Sequence, residues 1–411
     1  MKKVYLLVLL SLPAVLFAQE PGIHFEHGLS WTAIQAKAKA EHKYIFMDCY
    51  TTWCGPCKYM SATIFPKEEV GTYFNQNYIS VKVQLDTTAG DKEEIKKWYQ
   101  TGHDLAAKYA IQAYPTYLFF DENGVAVHRS VGSSDAATFL TKAADAKNPD
   151  KQYYTLLNKY NEGKKDSGFL HNVALAAMNA YDMANAKKVA DEYLATQTDL
   201  YTKTNLEFIQ NFTRSSKDKG FDMMLNNAAK VDASAGKGVA EKIVQEIIMQ
   251  EIVFKKFPES PGDKPNWNDI GAALTQKYPA QAPEALAKSK VIWYQHTQDW
   301  NNYQVVIKDY MAKYGSNASP QELNSYAWTV FQNCKDMTCV SDALNWSKRS
   351  FADMQEPAFI DTYANILYKM GKKNEAIEWE TKAISLADEG SKKDYQQTLD
   401  KMNKGEKTWN E

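Results

Sequence analysis

Two cysteines separated by a Gly-Pro pair, Cys54 and Cys57, follow closely on an apolar run. The run Tyr44-Ile45-Phe46-Met47 predicts a buried strand, and the residues from Cys57 onward predict the first turns of a helix. Cys54 then lies at a strand-to-helix junction, where unpaired backbone N–H groups favour a thiolate. The spacing predicts a dithiol redox centre in which Cys54 attacks a substrate disulfide and Cys57 resolves the mixed disulfide.

A Cys-x-x-Cys pair also forms half of many zinc sites, which need two further ligands at similar spacing. The remaining cysteines are Cys49, Cys334 and Cys339, and the seven histidines form no spaced pair. We therefore expect no metal and no cofactor other than the dithiol itself. Lys and Arg number 48 against 50 Asp and Glu, without a long basic run, so we expect no nucleic-acid or membrane surface.

The hexapeptide from Trp53 to Lys58, Trp-Cys-Gly-Pro-Cys-Lys, resembles the active-site motif of the thioredoxin superfamily. The resemblance extends over about residues 25 to 145 and implies a thioredoxin fold, a central mixed sheet flanked by helices. It also implies protein-disulfide reductase activity. The residues that match the family's site are Asp48, Trp53, Cys54, Gly55, Pro56, Cys57, Lys58, Lys82, Tyr114, Pro115 and Thr116.

Three of these residues have expected roles beyond the dithiol. An acid inside an apolar strand has a raised pKa, so Asp48 can exchange a proton with Cys57, although a merely tolerated buried acid is the alternative. Lys82 either leans toward Asp48 and tunes its pKa or is a solvated strand lysine. The resemblance implies that Pro115 follows a cis bond, packs against the dithiol and leaves the backbone of Tyr114 free to pair with a substrate strand.

Two features depart from the usual thioredoxin pattern. The stretch Thr87 to Gly102 lengthens one connection, either as an extra helical turn that shapes substrate access or as a longer surface loop. Cys49 replaces a large apolar residue and follows Asp48 directly. Because successive strand residues point to opposite faces, we expect Cys49 to be a buried inert thiol rather than a third redox sulfur.

The N-terminus has the pattern of a secretory signal peptide. Lys2 and Lys3 precede an apolar stretch from Val4 to Ala18, which is too short for a comfortable membrane span. We expect cleavage after Ala18 and no lipid anchor, since no cysteine follows. The mature chain is expected to be soluble in a bacterial periplasm, which permits disulfides, with an extracellular or eukaryotic secretory location as the alternative.

Strand patterns end near Asn148, and the remainder has helical periodicity with few Gly or Pro residues. We predict a signal peptide at 1–18, a thioredoxin-like domain at 19–147, a helical region at 148–257 and tetratricopeptide-like helical repeats at 258–411. The repeat prediction rests on the small residues of the stretch 360–387 and on Ala343 and Ala376, whose separation in the sequence is close to the length of one such repeat.

Cys334 and Cys339 fall where a turn between two repeat helices is expected. A structural disulfide, which would stabilise the fold by about 2 kcal/mol, and two free thiols are equally compatible with this position. A second catalytic dithiol is the least favoured interpretation.

Two functional hypotheses follow. The first is a periplasmic thiol:disulfide oxidoreductase that reduces protein disulfides, receives electrons from a membrane donor and positions clients on its helical repeats. The second is a helical-repeat binding or scaffold protein, or a disulfide isomerase, whose thioredoxin-like domain mainly docks clients. The intact dithiol motif with Asp48 and Pro115 favours the first.

Overall fold

A computed structural model of the chain describes residues 21–260, 262–388 and 390–409. The predicted signal peptide, residues 1–18, lies outside these ranges. The chain forms two compact units that divide between Leu200 and Tyr201, and each is considered separately. Helices that follow residue 147 pack against the sheet of the first unit. The predicted domain limits at 147 and 257 stay predictions.

The first unit contains a four-stranded sheet in its described residues. Its strands are β1 Tyr44–Tyr50, β2 Tyr78–Gln84, β3 Thr116–Phe120 and β4 Ala126–Val131, in the order β2-β1-β3-β4. The pair β1 and β2 is parallel, and the other two pairs are antiparallel. The helices of this region are α1 Trp31–Glu41, α2 Gly55–Tyr59, α3 Glu68–Asn77, α4 Glu93–Lys96, α5 Tyr99–Lys108 and α6 Ala136–Asp145. The predicted mixed sheet flanked by helices is confirmed.

Alternation along β1 sends its side chains into two separate cores. Phe46 packs with Met60, which follows α2, and with Phe139 of α6, whereas Ile45 and Met47 pack in a second cluster. All five side chains are fully buried. Both sheet faces are therefore covered, and the face that holds Phe46 is the one under the dithiol helix.

Three further helices belong to the first unit: α7 Tyr153–Asn161, α8 Ser167–Asn179 and α9 Met183–Ala195. Helices α7 and α8 contact β4. The backbone N–H of Tyr153 donates to the buried Nδ1 of His128 at 3.1 Å, and the Arg129 guanidinium donates to the carbonyl oxygens of Tyr109 and Ala180. Polar groups of β4 thus anchor these helices to the edge of the sheet.

The second unit is helical throughout its described residues, which agrees with the all-helical prediction. Its α-helices are α10 Lys203–Asn211, α11 Lys219–Asn226, α12 Ala228–Ala235, α13 Val239–Ile248, α14 Trp267–Lys277, α15 Ala282–His296, α16 Trp300–Tyr314, α17 Pro320–Asn333, α18 Met337–Ser350, α19 Pro357–Lys369, α20 Lys373–Leu386 and α21 Lys392–Lys404. No helix in the described parts of the chain has both the length and the apolar character that a bilayer span requires.

Helices α17 to α20 pack consecutively, each against the next in the chain. Ala343 of α18 and Ala376 of α20 are both fully buried, as expected for small residues where paired helices touch. The assignment of this region to tetratricopeptide-like repeats stays a prediction.

Candidate active site

Cys54 and Cys57 form a disulfide at the junction between β1 and α2, with their sulfurs 2.06 Å apart. Cys54 is the N-cap of α2, and the backbone N–H of Cys57 donates to its Sγ at 3.1 Å. Gly55 and Pro56 occupy the first two helical positions, where the missing N–H of proline costs nothing. Since a helix N-terminus stabilises negative charge, this geometry favours the Cys54 thiolate once the disulfide is reduced.

Cys54 and Cys57 are buried, with 3% and 4% of their surface exposed, and two aromatic side chains lie nearby. Trp53 is 69% exposed, and its ring lies edge-on to Tyr114 with centroids 5.8 Å apart. Lys58 is exposed on α2. Trp53 and Tyr114 thus form an aromatic pair next to the dithiol in the fold, and Trp53 is its exposed member.

The predicted proline loop lies next to this aromatic pair in the fold. The Tyr114–Pro115 bond is cis, and Pro115 is buried. The carbonyl oxygen of Pro115 accepts a hydrogen bond from the N–H of Gly132 at 2.9 Å, and Thr116 Oγ1 donates to the carbonyl oxygen of Ala113 at 2.7 Å. These bonds fix the backbone that leads into β3.

Asp48 and Lys82 are register partners on the parallel strands β1 and β2. Asp48 is 2% exposed, and its Oδ2 lies 3.2 Å from Lys82 Nζ. Lys82 Nζ also donates to Ser61 Oγ at 2.6 Å, in the π-helical turn Met60–Ile64 that continues α2. The lysine leans toward the acid, as one of the two predicted alternatives requires, and connects it to the helix that carries Cys57.

Burial raises the pKa of Asp48, and the charge of Lys82 opposes this effect only in part. Asp48 Oδ1 has no hydrogen-bond partner among the described residues. Burial and the Asp48 charge also raise the pKa of Tyr117, which faces Asp48 across β1 and β3. The surroundings of this carboxyl group therefore make proton uptake easier than at an exposed aspartate, which suits a group that takes up and returns a proton.

One contact at the site was missed by the sequence analysis. Asp86, which follows β2, accepts hydrogen bonds from the backbone N–H of Thr52 at 2.9 and 3.1 Å and from its hydroxyl group. This carboxylate fixes the loop that leads to Cys54. The sequence carries a signal for this contact, because Thr52 and Asp86 each follow a strand, and the carboxyl ends of two adjacent parallel strands lie at the same edge of a sheet.

The lengthened connection from Thr87 to Gly102 forms the short helix α4 and the first turn of α5. Asp91 organises its first part by accepting hydrogen bonds from Thr88, Gln84 and the hydroxyl of Tyr99. Gln84 also donates to the carbonyl oxygen of Asp86 at 3.0 Å. The insertion is therefore connected to the residue that holds the Thr52 loop.

Cys49 packs in the cluster of Ile45 and Met47, on the face opposite Phe46. Burial, with the nearby Asp48 charge, raises its pKa well above the ordinary value of 9.0 for a thiol. These properties fit an unreactive thiol. Among the described residues, no group of three or more His, Cys, Asp or Glu side chains is arranged to hold a metal ion.

The arrangement combines a disulfide at a helix N-terminus with a buried carboxyl group that is connected through Lys82 to the continuation of the same helix. It defines a thiol:disulfide oxidoreductase site on a thioredoxin-like fold.

Comparison with known proteins gives the same family. The family described as "Thioredoxin-like domain" matches residues 32–147. Thioredoxin-1 from Saccharomyces cerevisiae is 36% identical over 109 residues, which are 26% of this chain and 87% of that protein. Thioredoxin-like protein slr0233 from Synechocystis is 32% identical over 98 residues, 24% of this chain and 76% of that protein. The chain belongs to the thioredoxin family through this domain.

A further relative is the thiol:disulfide interchange protein DsbD from Yersinia pestis. It is 30% identical over 121 residues, which are 29% of this chain but only 18% of DsbD. The similarity is thus confined to a small part of that protein.

Proposed function

We propose that this chain is an exported, periplasmic reductase of protein disulfides that uses Cys54 and Cys57 as the redox pair for this reaction. The observation that carries the mechanism is the bridge from Asp48 through Lys82 Nζ to Ser61 Oγ, with distances of 3.2 and 2.6 Å. This bridge supports a position for the acid beneath the helix that carries Cys57. The proposal needs no metal or organic cofactor.

The reduced enzyme begins with attack of the Cys54 thiolate on one sulfur of a substrate disulfide. The substrate S–S bond breaks, one substrate sulfur leaves as a thiolate, and the other stays bonded to Cys54. Cys57 then gives its proton to the Asp48 carboxylate and attacks the Cys54 sulfur. The second substrate thiolate leaves and takes up the proton that Asp48 holds, so the substrate gains two electrons, Asp48 is ionised again and the enzyme ends as the disulfide.

The charge of Lys82 gives it a positioning role in this sequence. Its ammonium group holds Asp48 in place and lowers the cost of the ionised carboxylate that must accept the proton. Trp53 and Tyr114 form the aromatic pair next to the dithiol, and the backbone of Tyr114 is proposed to pair with an extended substrate segment.

The proposed location rests on the N-terminal sequence pattern, with Lys2 and Lys3 before an apolar stretch that ends at Ala18. A reductase in such a compartment needs an electron source, and we propose a membrane-bound donor of the thiol:disulfide interchange class. The likeness to a part of DsbD supports exchange chemistry of this kind. We also propose that the helical repeats bind client proteins, since consecutively packed helix pairs form extended binding surfaces.

Substitution of single cysteines tests the mechanism in the full chain. Cys54→Ser is expected to abolish reduction of a protein disulfide by the pre-reduced enzyme, because the attacking sulfur is gone. Cys57→Ala is expected to accumulate mixed disulfides with the substrate, detected by mass spectrometry under non-reducing conditions.

The matched control is Cys49→Ala, which removes a buried thiol on the opposite sheet face and is expected to keep turnover within about twofold, since its thiol takes no part in exchange. If Cys54→Ser still reduces the substrate, or if folded Cys57→Ala forms no mixed disulfide, Cys54 is not the attacking sulfur or Cys57 is not the resolving one.

A further inference from the structure

The second cysteine pair lies within reach of a disulfide bond. Cys334 is the C-cap of α17, and Cys339 lies in the first turn of α18. Their sulfurs are 3.6 Å apart, with the S–H of Cys339 donating to Cys334 Sγ, and both thiols are free and buried. A disulfide places its sulfurs about 2.05 Å apart, so the two sulfurs have to approach each other by about 1.5 Å to bond.

The ammonium group of a lysine is held close to the cysteine pair. Lys369 Nζ of α19 donates to the carbonyl oxygen of Cys334 at 3.0 Å and to that of Phe331. The hydrogen bond from Cys339 and the Lys369 charge lower the pKa of Cys334, while the same hydrogen bond and burial raise that of Cys339. Cys334 is therefore the better nucleophile, and Cys339 is placed to resolve.

A cavity of about 550 Å³ adjoins Cys334. Trp300, Met337 and Trp409 give it apolar walls, and its charged lining residues are the lysines Lys335, Lys369 and Lys407. No acidic side chain lines it among the described residues. Such a cavity suits a small ligand that carries negative charge.

We propose that Cys334 and Cys339 are a second redox dithiol, which exchanges with small disulfides that carry carboxylate groups. The Cys334 thiolate attacks one sulfur of the small disulfide, whose S–S bond breaks and releases one thiolate. Cys339 then loses its proton and attacks Cys334 Sγ, which releases the second thiolate. The two protein thiols are oxidised to a disulfide, the small disulfide is reduced to two thiols, and the two protons pass to the released thiolates.

The first test uses the full wild-type chain and needs no substitution. The folded protein is equilibrated with graded mixtures of oxidised and reduced glutathione. The reaction is quenched with acid, free thiols are alkylated, and the masses of the cysteine peptides are measured by mass spectrometry. The peptides with Cys334 and Cys339 are expected to lose both alkylation sites together as the mixture becomes oxidising. Two thiols that stay fully alkylated in the most oxidising mixture would overturn the proposal.

This readout is separate from the proposed reductase function. The peptide with Cys54 and Cys57 is measured in the same samples, so either pair can titrate without the other. A response of the first pair alone would refute the second dithiol and leave the reductase proposal intact.

A second test concerns the charge of the ligand. The rate of oxidation at Cys334 is measured with oxidised glutathione, which is anionic, and with cystamine disulfide, which is cationic, at low ionic strength. Lys335 is exposed on the cavity lining, so Lys335→Glu reverses one charge there without disturbing the core. The glutathione-to-cystamine rate ratio is expected to fall about threefold or more.

Lys393 is another exposed lysine, on α21, and does not line the cavity, so Lys393→Glu is the matched control and should leave the ratio unchanged. The ratio cancels the intrinsic reactivity of the Cys334 thiol, and its comparison between variants cancels the intrinsic reactivities of the two reagents. An equal ratio in wild type and Lys335→Glu would refute the preference for anionic disulfides.

The roles of the two sulfurs are tested by Cys339→Ser and Cys334→Ser. The first variant should trap one glutathione on Cys334, and the second should leave Cys339 at least about tenfold less reactive than Cys334 in wild type. Equal trapping in both variants would overturn the assignment, and the wild-type titration decides the existence of the site even if a variant fails to fold.

Discussion

Replacing Asp48 by Asn is expected to stabilise the first unit at neutral pH. The carboxyl group is 2% exposed, makes one ion pair with Lys82 at 3.2 Å and leaves Oδ1 unpaired among the described residues. Its raised pKa means that burial destabilises the ionised carboxylate by more than the attraction to Lys82 stabilises it. Lys82 keeps Ser61 as a partner, so its charge is not stranded. We expect a gain of about 1 to 3 kcal/mol.

The pH dependence of this gain follows from the direction of the pKa shift. The pKa of Asp48 in the folded state lies above its ordinary value of 3.8. Above pH 3.8 the unfolded state therefore loses its proton first, and folding with a buried carboxyl group becomes less favourable as the pH rises. The advantage of Asp48→Asn should be absent below pH 3.8 and complete above the folded-state pKa.

Hydrogen exchange of peptides that cover β1 and β3, followed by mass spectrometry, measures the effect in the full chain. The oxidised protein is used, because Cys54 and Cys57 then carry no charge. Exchange of these peptides at pH 7 is expected to slow by roughly 5- to 150-fold in Asp48→Asn.

The control is Asp104→Asn, which removes an exposed acid of α5 and should leave the exchange of β1 and β3 unchanged. Faster exchange in Asp48→Asn, or a gain of equal size at pH 3.5 and pH 7, would refute the argument from the buried charge.

Two further predictions concern the redox pair and the sheet edge. The Cys54–Cys57 pair is expected to have an equilibrium potential nearer the −270 mV of thioredoxin than the −120 mV of strong oxidants, and alkylation across a graded dithiol buffer measures it; a value between about −120 and −180 mV would favour an oxidase or isomerase. Burial lowers the pKa of His128 to about 4 from 6.5. As the pH falls from 7 to 5, the unfolded state therefore takes up the proton first, and the β4–α7 contact should lose about 2 kcal/mol of stability. Hydrogen exchange of these peptides, corrected for intrinsic rates, should show this loss in wild type and not in His128→Gln, and a flat response in wild type would contradict it.

Local patterns were sufficient for most of the first unit. The apolar run Tyr44-Ile45-Phe46-Met47 predicted a buried strand and the residues from Cys57 onward predicted a helix, and these segments lie in β1 and α2. The dithiol helix was predictable in part because Pro56 is a residue favoured in the first turn of a helix.

Long-range contacts were less accessible from the sequence. Asp86 holds the Thr52 loop only because β2 lies beside β1, and Lys369 reaches Cys334 across 35 residues. The helices after residue 147 anchor to His128 and Arg129, which no local pattern indicated. Each of these contacts depends on which surfaces meet, and sequence spacing does not encode that.

The sequence by itself determined the dithiol motif, the family, the strand that carries the buried acid and the change from α/β to all-helical structure, because each depends on residues close together in the chain. Only the tertiary structure decided that Lys82 leans toward Asp48, that the first compact unit continues to Leu200, and that Cys334 and Cys339 lie 3.6 Å apart beside a lysine-lined cavity. The physical reason is that charge pairing, burial and cavity formation are properties of distant segments brought together by packing.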